Sequence, residues 1–284
     1  MVKKINLSIM SKRVIINADD FGISQGVNRG IAETHLNGIL TSASLMVNMP
    51  HTQDAVQIIK RLPNLKIGLH ISLTGGKPVS NREDIPHLVD KNGFFPKRGI
   101  NLVWKVLYNG DKMLKEIAKE IRAQIKLMKA FGLNINHLDS HDHIHVFPSI
   151  LDIVIQLARE YSIPRIRYPN QKFIYIFKNP SRLLKSYLLS VLTCCSKNKL
   201  NKNGVFTCDC FWGLVESGNL NEATLMAILK ALPEGLNEIV CHPGYVDNEL
   251  LKIFPVVYNW EEELKALTSS KVKSLIKDYG IELI

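Results

Sequence analysis

The sequence has no long hydrophobic run. No apolar stretch reaches the roughly 20 residues that a membrane-spanning helix needs. The first 20 residues, MVKKINLSIMSKRVIINADD, hold too few consecutive apolar residues for the core of a signal peptide. We therefore expect a cytoplasmic protein.

Cysteine is scarce, and the number of cysteines is odd. The spacings of the five cysteines, CC and CDC among them, match no common zinc-binding pattern. Reduced thiols are therefore favoured over a disulfide framework. Low-complexity tracts and internal repeats are also missing, and 46% of the 284 residues are hydrophobic. These features predict one domain over residues 1–284 with a sizeable core.

Acidic residues are fewer than basic ones, 26 against 36, which gives a net charge of +10. A positive excess favours an anionic partner. Much of this charge lies between Lys172 and Lys202, and the chain has no zinc finger, no RNP-type aromatic motif and no basic helix with heptads. We therefore expect no nucleic-acid partner.

Apolar strand-like runs alternate with segments of helical periodicity along most of the chain. This alternation predicts an α/β fold of parallel strands joined by helices, either a barrel or an open doubly wound sheet. Two stretches break it, a loop-rich segment at 75–110 and a basic and apolar insert at about 171–219. The predicted strands are 14–16, 42–48, 66–72, 135–140, 165–168, 238–242 and 281–284. The predicted helices are 26–36, 52–62, 111–131, 148–161, 223–232, 261–267 and 271–279.

Polar side chains recur where the predicted strands end. Parallel α/β folds gather their chemistry at the carboxyl ends of the strands, so we expect these side chains to meet. They are Asp19, Asp20, His70, His141, Arg165, Arg167 and His242.

The densest cluster of ligand-type residues is HLDSHDHIH, residues 137–145. An extended chain would place its alternate residues on one side, whereas a helical turn after Ser140 would pair His141 with His145. Imidazole and carboxylate together suit zinc, manganese or iron. Asp20, His70 and His141 would supply three ligands, while Asp139 and the remaining histidines would orient them. The alternative for any single histidine is an ordinary hydrogen-bonded residue.

Three further residues fit catalytic roles beside such a site. Asp19 could act as a general base on the attacking water, and His242 could protonate a leaving group. Arg165 and Arg167 share one face of their strand, and one of them could pair with Asp19. The alternatives are an aspartate that caps the following helix, a histidine that caps a turn, and arginines at a solvent-facing strand edge.

Five motifs in order, INADDFGIS, IGLHISLTGGKPV, HLDSHDHIHVFP, RIRYP and IVCHPGYVD, resemble the YdjC-type carbohydrate deacetylase family. This family includes chitooligosaccharide deacetylases and hopanoid-associated deacetylases. The resemblance implies a distorted (β/α) barrel of about seven parallel strands, related to NodB-type polysaccharide deacetylases, that removes an N-acetyl group from an amino sugar. It also implies that Asp19 and Asp20 supply a base and a ligand, and that His70 and His141 bind one divalent ion. The family is described with magnesium, whereas these ligands favour zinc.

Substrate contacts are less well specified. Gly75 and Gly76 could line the sugar site or form only a turn, and Trp212 could stack on a sugar or belong to the core. His143 and His145 are further candidates for substrate binding. Residues 178–202 combine an apolar helical face with flanking lysines and arginine. This pattern suits contact with a membrane or a lipid-linked substrate, and equally a lid or a homodimer helix.

Two other functions stay open at this stage. A metal-dependent phosphoesterase or amidohydrolase also uses histidine pairs in α/β barrels, but such enzymes usually hold two metals. A non-catalytic protein that binds glycans or membrane surfaces could retain the scaffold, although it would need neither a base nor an acid.

Overall fold

The computed structural model describes residues 11–171, 187, 189–193, 196–253 and 258–284. Most of the predicted basic and apolar segment, including Lys178, Arg182 and Lys185, lies outside these residues. The strands are β1 Lys12–Phe21, β2 Ser42–Leu45, β3 Lys66–Ile71, β4 His137–Ser140, β5 Arg165–Ile166, β6 Cys210–Trp212, β7 Gly235–Cys241 and β8 Glu282–Leu283. The helices are α1 Gln25–Asn37, α2 Thr52–Ile59, α3 Gly99–Asn109, α4 Asp111–Ala130, α5 Pro148–Glu160, α6 Ser196–Lys202, α7 Glu222–Ala231, α8 Asn248–Ile253, α9 Trp260–Thr268 and α10 Ser270–Asp278.

The strands form one parallel sheet that curls into a barrel. Its order is β5-β4-β3-β2-β1-β7-β6, and β8 pairs with β1. Isolated parallel bridges join Arg165 to Phe206 and Gln171 to Phe211, so the two ends of the sheet meet. The α/β barrel prediction is therefore confirmed, and the open doubly wound sheet is wrong.

The apolar core lies between the sheet and the helices that cover it. Helix α4 shows how the sequence specifies this layer, because Met113, Ile117, Ile121 and Ile125 recur at helical spacing and are fully buried. Within the described residues, no helix is both long and apolar enough to cross a membrane.

Three elements differ from the sequence-based expectation. The loop-rich stretch contains α3, which buries Leu102 and Val106 but leaves Trp104 and Tyr108 66% and 90% exposed, so its apolar residues do not form one simple stripe. Strand β6 lies inside the predicted insert and is only three residues long. Helix α8 is also short, with six residues. Short elements give too few periods for a pattern to be recognised.

The barrel interior is polar rather than apolar. Side chains from five strands lie inside it with at most 7% exposure, and they contact one another through hydrogen bonds and ion pairs. They are Asn17, Ser44, His137, Asp139, Arg165, Arg167 and Glu238. This network leads directly to the carboxyl ends of the strands.

Candidate active site

A pocket of about 320 Å³ opens at the carboxyl ends of the strands. It brings together five of the predicted catalytic and metal-binding residues, Asp19, Asp20, His70, His141 and His242. The other residues that line it are Lys97, Arg98, Ser140, Asp142, His143, Leu214, Ser217 and Tyr258. Side chains far apart in the chain therefore converge, as parallel topology requires.

The two adjacent aspartates reach the same pocket because the backbone is irregular there. The pairing of β1 with β2 shifts by one residue between Ala18 and Phe21, as in a β-bulge. Asp20 also has a φ of +64°, which is rare for a residue other than glycine. Consecutive strand residues normally point to opposite faces, so this local distortion lets both carboxylates line one pocket.

Asp20, His70 and His141 form a compact set of possible metal ligands. The Asp20 Oδ1 atom lies 3.5 Å from His70 Nε2 and 3.1 Å from His141 Nδ1. Tetrahedral zinc, with metal–ligand bonds of about 2.0–2.1 Å, would separate its ligand atoms by roughly 3.3 Å. The donor set therefore fits a divalent ion. The side chain of His141 is 19% exposed, so this ligand faces the open side of the pocket.

Asp139 fixes the orientation of His70. The His70 Nδ1–H group donates to Asp139 Oδ1 at 2.8 Å, which turns the Nε2 atom toward Asp20. Such a carboxylate–histidine pair is typical of metal sites. Burial alone would lower the pKa of His70, but Asp139 and Asp19 outweigh it and raise that pKa to about 10. Burial would raise the pKa of Asp20, whereas His141 and His70 hold it well below its usual range.

Arg167 holds Asp19 with two hydrogen bonds. Its Nη1 and Nη2 atoms donate to the two carboxylate oxygens of Asp19, each at 2.7 Å. Asn17 donates a third bond to Asp19 at 2.9 Å. The sequence left open which arginine would pair with Asp19, and whether both would face solvent. The structure selects Arg167, which is 1% exposed, and places Arg165 against Glu238.

His242 follows β7 directly, and β7 pairs with β1, the strand that carries Asp19. Its ring packs edge-on against Tyr258 and Trp260, with centroid distances of 5.0 and 6.1 Å. Glu263 Oε2 accepts the His242 backbone N–H and lies 3.8 Å from the ring atom Nδ1. Burial would lower the pKa of His242, but Glu263, Asp20 and Asp19 outweigh it and raise that pKa. The three carboxylates therefore stabilise the protonated form of the imidazole.

The histidine cluster does not share one side of the chain as the extended interpretation predicted. Strand β4 ends at Ser140, and the backbone of Asp142 and His143 has φ values of +59° and +55°. The helical pairing of His141 with His145 is also wrong, because His145 turns inward. Its Nε2–H donates to the Arg167 carbonyl at 3.0 Å, and its Nδ1 accepts from the Ser140 hydroxyl at 2.6 Å.

Within this cluster, His137 and His145 therefore lie in the protein interior. Besides His141, His143 is the member of the cluster that lines the pocket. His137 is fully buried and hydrogen-bonds to Ser44 at 3.0 Å, while His143 packs edge-on against Phe211 at the pocket wall. His145 is not among the pocket-lining residues, so its predicted contact with substrate is wrong. It supports the Arg167 backbone instead.

Trp212, Gly75 and Gly76 are not among the residues that line the pocket, and their contact with substrate stays a prediction. Trp212 is 4% exposed, belongs to the core and donates its indole N–H to Asn237 at 3.1 Å. The two glycines form a turn that hydrogen-bonds to the segment at residues 95–96, directly before Lys97. The turn therefore supports the pocket wall without contacting the site.

Several pocket or supporting residues carried no recognised sequence signal. Lys97 and Arg98 come from the loop-rich segment, and Glu263 lies in the middle of α9. Glu238 is the exception, because a carboxylate inside an otherwise apolar strand, EIVC, marks an inward-facing charge that needs a partner. That signal could have identified the interior network.

Comparison with known proteins agrees with this geometry. The model of the YdjC-like protein family matches residues 13–278. The carbohydrate deacetylase of Thermoanaerobacter pseudethanolicus is 36% identical over 272 residues, with 96% of this chain and 97% of the relative covered. The chitooligosaccharide deacetylase of Proteus mirabilis is 34% identical over 278 residues, with 96% and 97% covered.

A solved structure shares the whole fold. A crystal structure from Enterococcus faecalis V583, whose description refers to cellobiose-phosphate cleavage, superimposes with a TM-score of 0.78 at 30% identity and covers 96% of this chain and 97% of its own. The match to the family model extends over nearly all of the described residues. This chain is therefore a member of the YdjC-like protein family.

Proposed function

We propose that the protein is a metal-dependent hydrolase that removes an N-acetyl group from an amino sugar. One observation carries the proposal: a possible Asp-His-His ligand set, an arginine-held carboxylate and an imidazole with a raised pKa line one pocket. Metal-dependent amide hydrolysis uses a Lewis acid, a base and an acid in this proximity. The names of the curated relatives, carbohydrate and chitooligosaccharide deacetylase, support the same reaction.

Asp20, His70 and His141 would hold one divalent ion. When bound, the ion would polarise the acetamide carbonyl and lower the pKa of the attacking water. Two imidazoles and one carboxylate favour zinc over magnesium, which prefers oxygen ligands. The second possible ligand group, Asp19, His70 and Asp139, shares His70 with the first. We therefore infer one ion for each chain.

Asp19 is the proposed general base. Both of its carboxylate oxygens accept hydrogen bonds from Arg167, which fixes the direction of the side chain. Asp19 takes a proton from the attacking water at the carbonyl carbon. Arg167 then balances the charge of the base and does not itself transfer a proton.

His242 is the proposed general acid. The neighbouring carboxylates raise the pKa of this imidazole and so favour the form that can donate a proton, and the ring lines the pocket. His242 donates this proton to the nitrogen of the departing amino sugar. Base and acid thereby act on the same amide from two adjacent strands, β1 and β7.

The substrate is proposed to extend beyond one sugar. An apolar cleft of about 440 Å³ shares Arg98, Asp142 and His143 with the pocket. Its remaining walls come from α3 and from Ile144, Val146, Phe147, Leu189 and Leu192. A chitooligosaccharide or a glycolipid-linked N-acetylglucosamine would place its next unit there, while Lys97 and Arg98 would contact polar groups at the boundary.

The test is an acetate-release screen with Asp19→Asn as the diagnostic variant. Wild type, loaded in turn with zinc, magnesium or manganese after chelation, is assayed on N-acetylglucosamine, chitooligosaccharides and an acetylated glycolipid. We expect Asp19→Asn to lose roughly 10²–10⁴-fold in kcat, because a positioned base contributes about that much. Elemental analysis should give one ion for each chain in both proteins.

Asp152→Asn is the matched control, because Asp152 is a half-exposed carboxylate paired with Lys199 on the surface. It should retain wild-type turnover. Near-normal turnover of Asp19→Asn would contradict the proposed base. Two ions for each chain, together with phosphate-ester rather than amide cleavage, would favour a phosphoesterase instead.

A further inference from the structure

Arg167 is the central residue of the polar barrel interior. Its guanidinium group contacts three carboxylates: Asp19 through both Nη atoms, Asp139 through Nη2 at 2.7 Å, and Glu238 through Nε at 2.8 Å. The ring of Phe211 lies 5.6 Å from the guanidinium carbon. Arg167 thus connects the proposed base, Asp19, to Asp139, which orients His70.

Glu238 binds Arg167 from the side away from the pocket. It is fully buried, does not line the pocket, and lies in β7 opposite Ile15 of β1 and Phe211 of β6. Its other carboxylate oxygen, Oε2, accepts a hydrogen bond from Arg165 Nη1 at 2.7 Å and a weaker one from the Cys208 thiol at 3.5 Å. Both oxygens of Glu238 are therefore bonded.

This arrangement determines the direction of the Arg167 fork. A guanidinium is planar, so a bond at Nε fixes the plane in which both Nη groups donate. If Nε lost its acceptor, only Asp19 and Asp139 would orient the buried guanidinium group of Arg167. Misplacing a catalytic group by about 1 Å is enough to cost on the order of 10²-fold in rate.

We propose that Glu238 is a positioning residue that acts through Arg167 on both Asp19 and Asp139. Glu238 touches neither substrate nor ion, and its effect reaches the base directly and the ligand His70 through Asp139. The expected effect of Glu238 on kcat rests on the proposed deacetylase function. Its consequence for the metal site does not depend on the substrate.

The diagnostic variant is Glu238→Gln. A glutamine has one accepting oxygen where glutamate has two, so either Arg165 or Arg167 loses its acceptor while the volume is unchanged. We expect kcat to fall roughly 10–100-fold, as for other supporting residues around metal sites, with KM within about threefold of wild type. Glu238→Asp keeps the charge but is one methylene shorter, and should lower kcat in the same way if Glu238→Gln does not fold.

A double-mutant cycle shows whether Glu238 acts through Arg167. In an Arg167→Lys background the fork is already lost, so adding Glu238→Gln should change kcat by less than about threefold. A merely structural role would give the same loss in both backgrounds. Equal losses would overturn the proposal.

Zinc affinity, measured by calorimetry on the chelated protein, is a readout besides activity. Glu238→Gln should weaken zinc binding by about tenfold, because the effect passes from Arg167 to Asp139 and His70. The matched control is Glu120→Gln, since Glu120 is equally buried but accepts its bonds from Val79, Ser80 and Gln124, away from the site. Glu120→Gln should retain zinc affinity and kcat even where it lowers stability.

The outcomes separate the two proposals. A wild type that releases no acetate from any substrate would contradict the proposed function, while the calorimetric arm would still test Glu238. Unchanged zinc affinity in Glu238→Gln, or a zinc loss as large in Glu120→Gln, would overturn the positioning role.

Discussion

At the scale of single residues, the surroundings of each side chain decide its chemistry. His137, His145 and His242 are all buried, yet burial lowers the pKa of His137 to about 3 and that of His145 to about 4, while the pKa of His242 is raised. The difference arises because Glu263 lies beside His242, whereas Arg165 and Arg167 lie near the other two. Of these three histidines, His242 is therefore the one whose surroundings favour the proton-donating form.

Glu263→Gln tests this assignment. Removing the carboxylate should lower the pKa of His242, so the acid would lose its proton at a lower pH. The alkaline limb of the kcat/KM profile should then begin at lower pH than in wild type, while the acidic limb stays in place. Glu262→Gln, an exposed neighbour that is paired with Lys265, should leave both limbs unchanged. An alkaline limb that does not move in Glu263→Gln would contradict His242 as the acid.

At the scale of elements, close contacts between backbones position the site. Helix α1 follows the bulged end of β1 and packs against the loop that continues from β7 through His242. The Gly26 carbonyl accepts from Tyr245 N, and Asp247 accepts the Gly26 N–H group. A Cβ atom on Gly30 would lie 2.5 Å from the Cα of Gly244. Glycine is therefore required where α1 approaches this loop.

Gly30→Ala should destabilise the fold and displace the acid. Alanine in a helix gains at most about 1 kcal/mol over glycine, whereas overpacking against backbone costs about 1–3 kcal/mol. We expect a net loss of roughly 1–2 kcal/mol in the free energy of unfolding, measured by urea denaturation, and a lower kcat. Leu36→Ala on the same helix, where Leu36 is 67% exposed, should change either value little. Unaltered stability in Gly30→Ala would show that the loop can move aside.

At the scale of the whole molecule, the barrel interior contains both ionised side chains and neutral histidines. Folded His137 and His145 stay neutral until the pH nears 3 and 4, whereas in the unfolded chain they take up protons below about 6.5. The unfolded state therefore binds more protons as the pH falls from 6.5 toward 4. The pKa values of Asp20 and Asp139 are already well below their usual range, so both carboxylates stay ionised over this interval.

Acid should consequently unfold the protein at mild pH. We expect the free energy of unfolding to fall below pH 6.5, by at most about 1.4 kcal/mol per pH unit for each of the two histidines. The measurement is urea denaturation at a series of pH values between 7 and 4.5. His145→Gln should flatten this dependence, while His87→Gln, which changes a half-exposed histidine, should not. The same slope in His145→Gln and wild type would contradict the prediction.

Features that depend on the local sequence pattern were predicted well, whereas features that depend on long-range contacts were not. The strongly periodic α4 and α5 were predicted to within one residue at either end, because each spans several turns with a continuous apolar face. The ligand candidates were found because parallel strands bring their ends together wherever they lie in the sequence. The direction of the chain after Ser140 could not be predicted, because left-handed backbone at Asp142 and His143 has no periodic signature.

By itself, the sequence determined the α/β class, the family and the cluster of aspartate and histidine side chains at the strand ends, because all three depend on local periodicity or short motifs. Only the tertiary structure decided that the sheet closes and that Arg167 rather than Arg165 holds Asp19. It also decided that His145 and Trp212 are buried in the interior, and that Glu238 and Glu263 contact the residues of the site. The physical reason is that a buried charge is stabilised by partners from distant strands, and the order of residues along the chain does not show which of them are close in space.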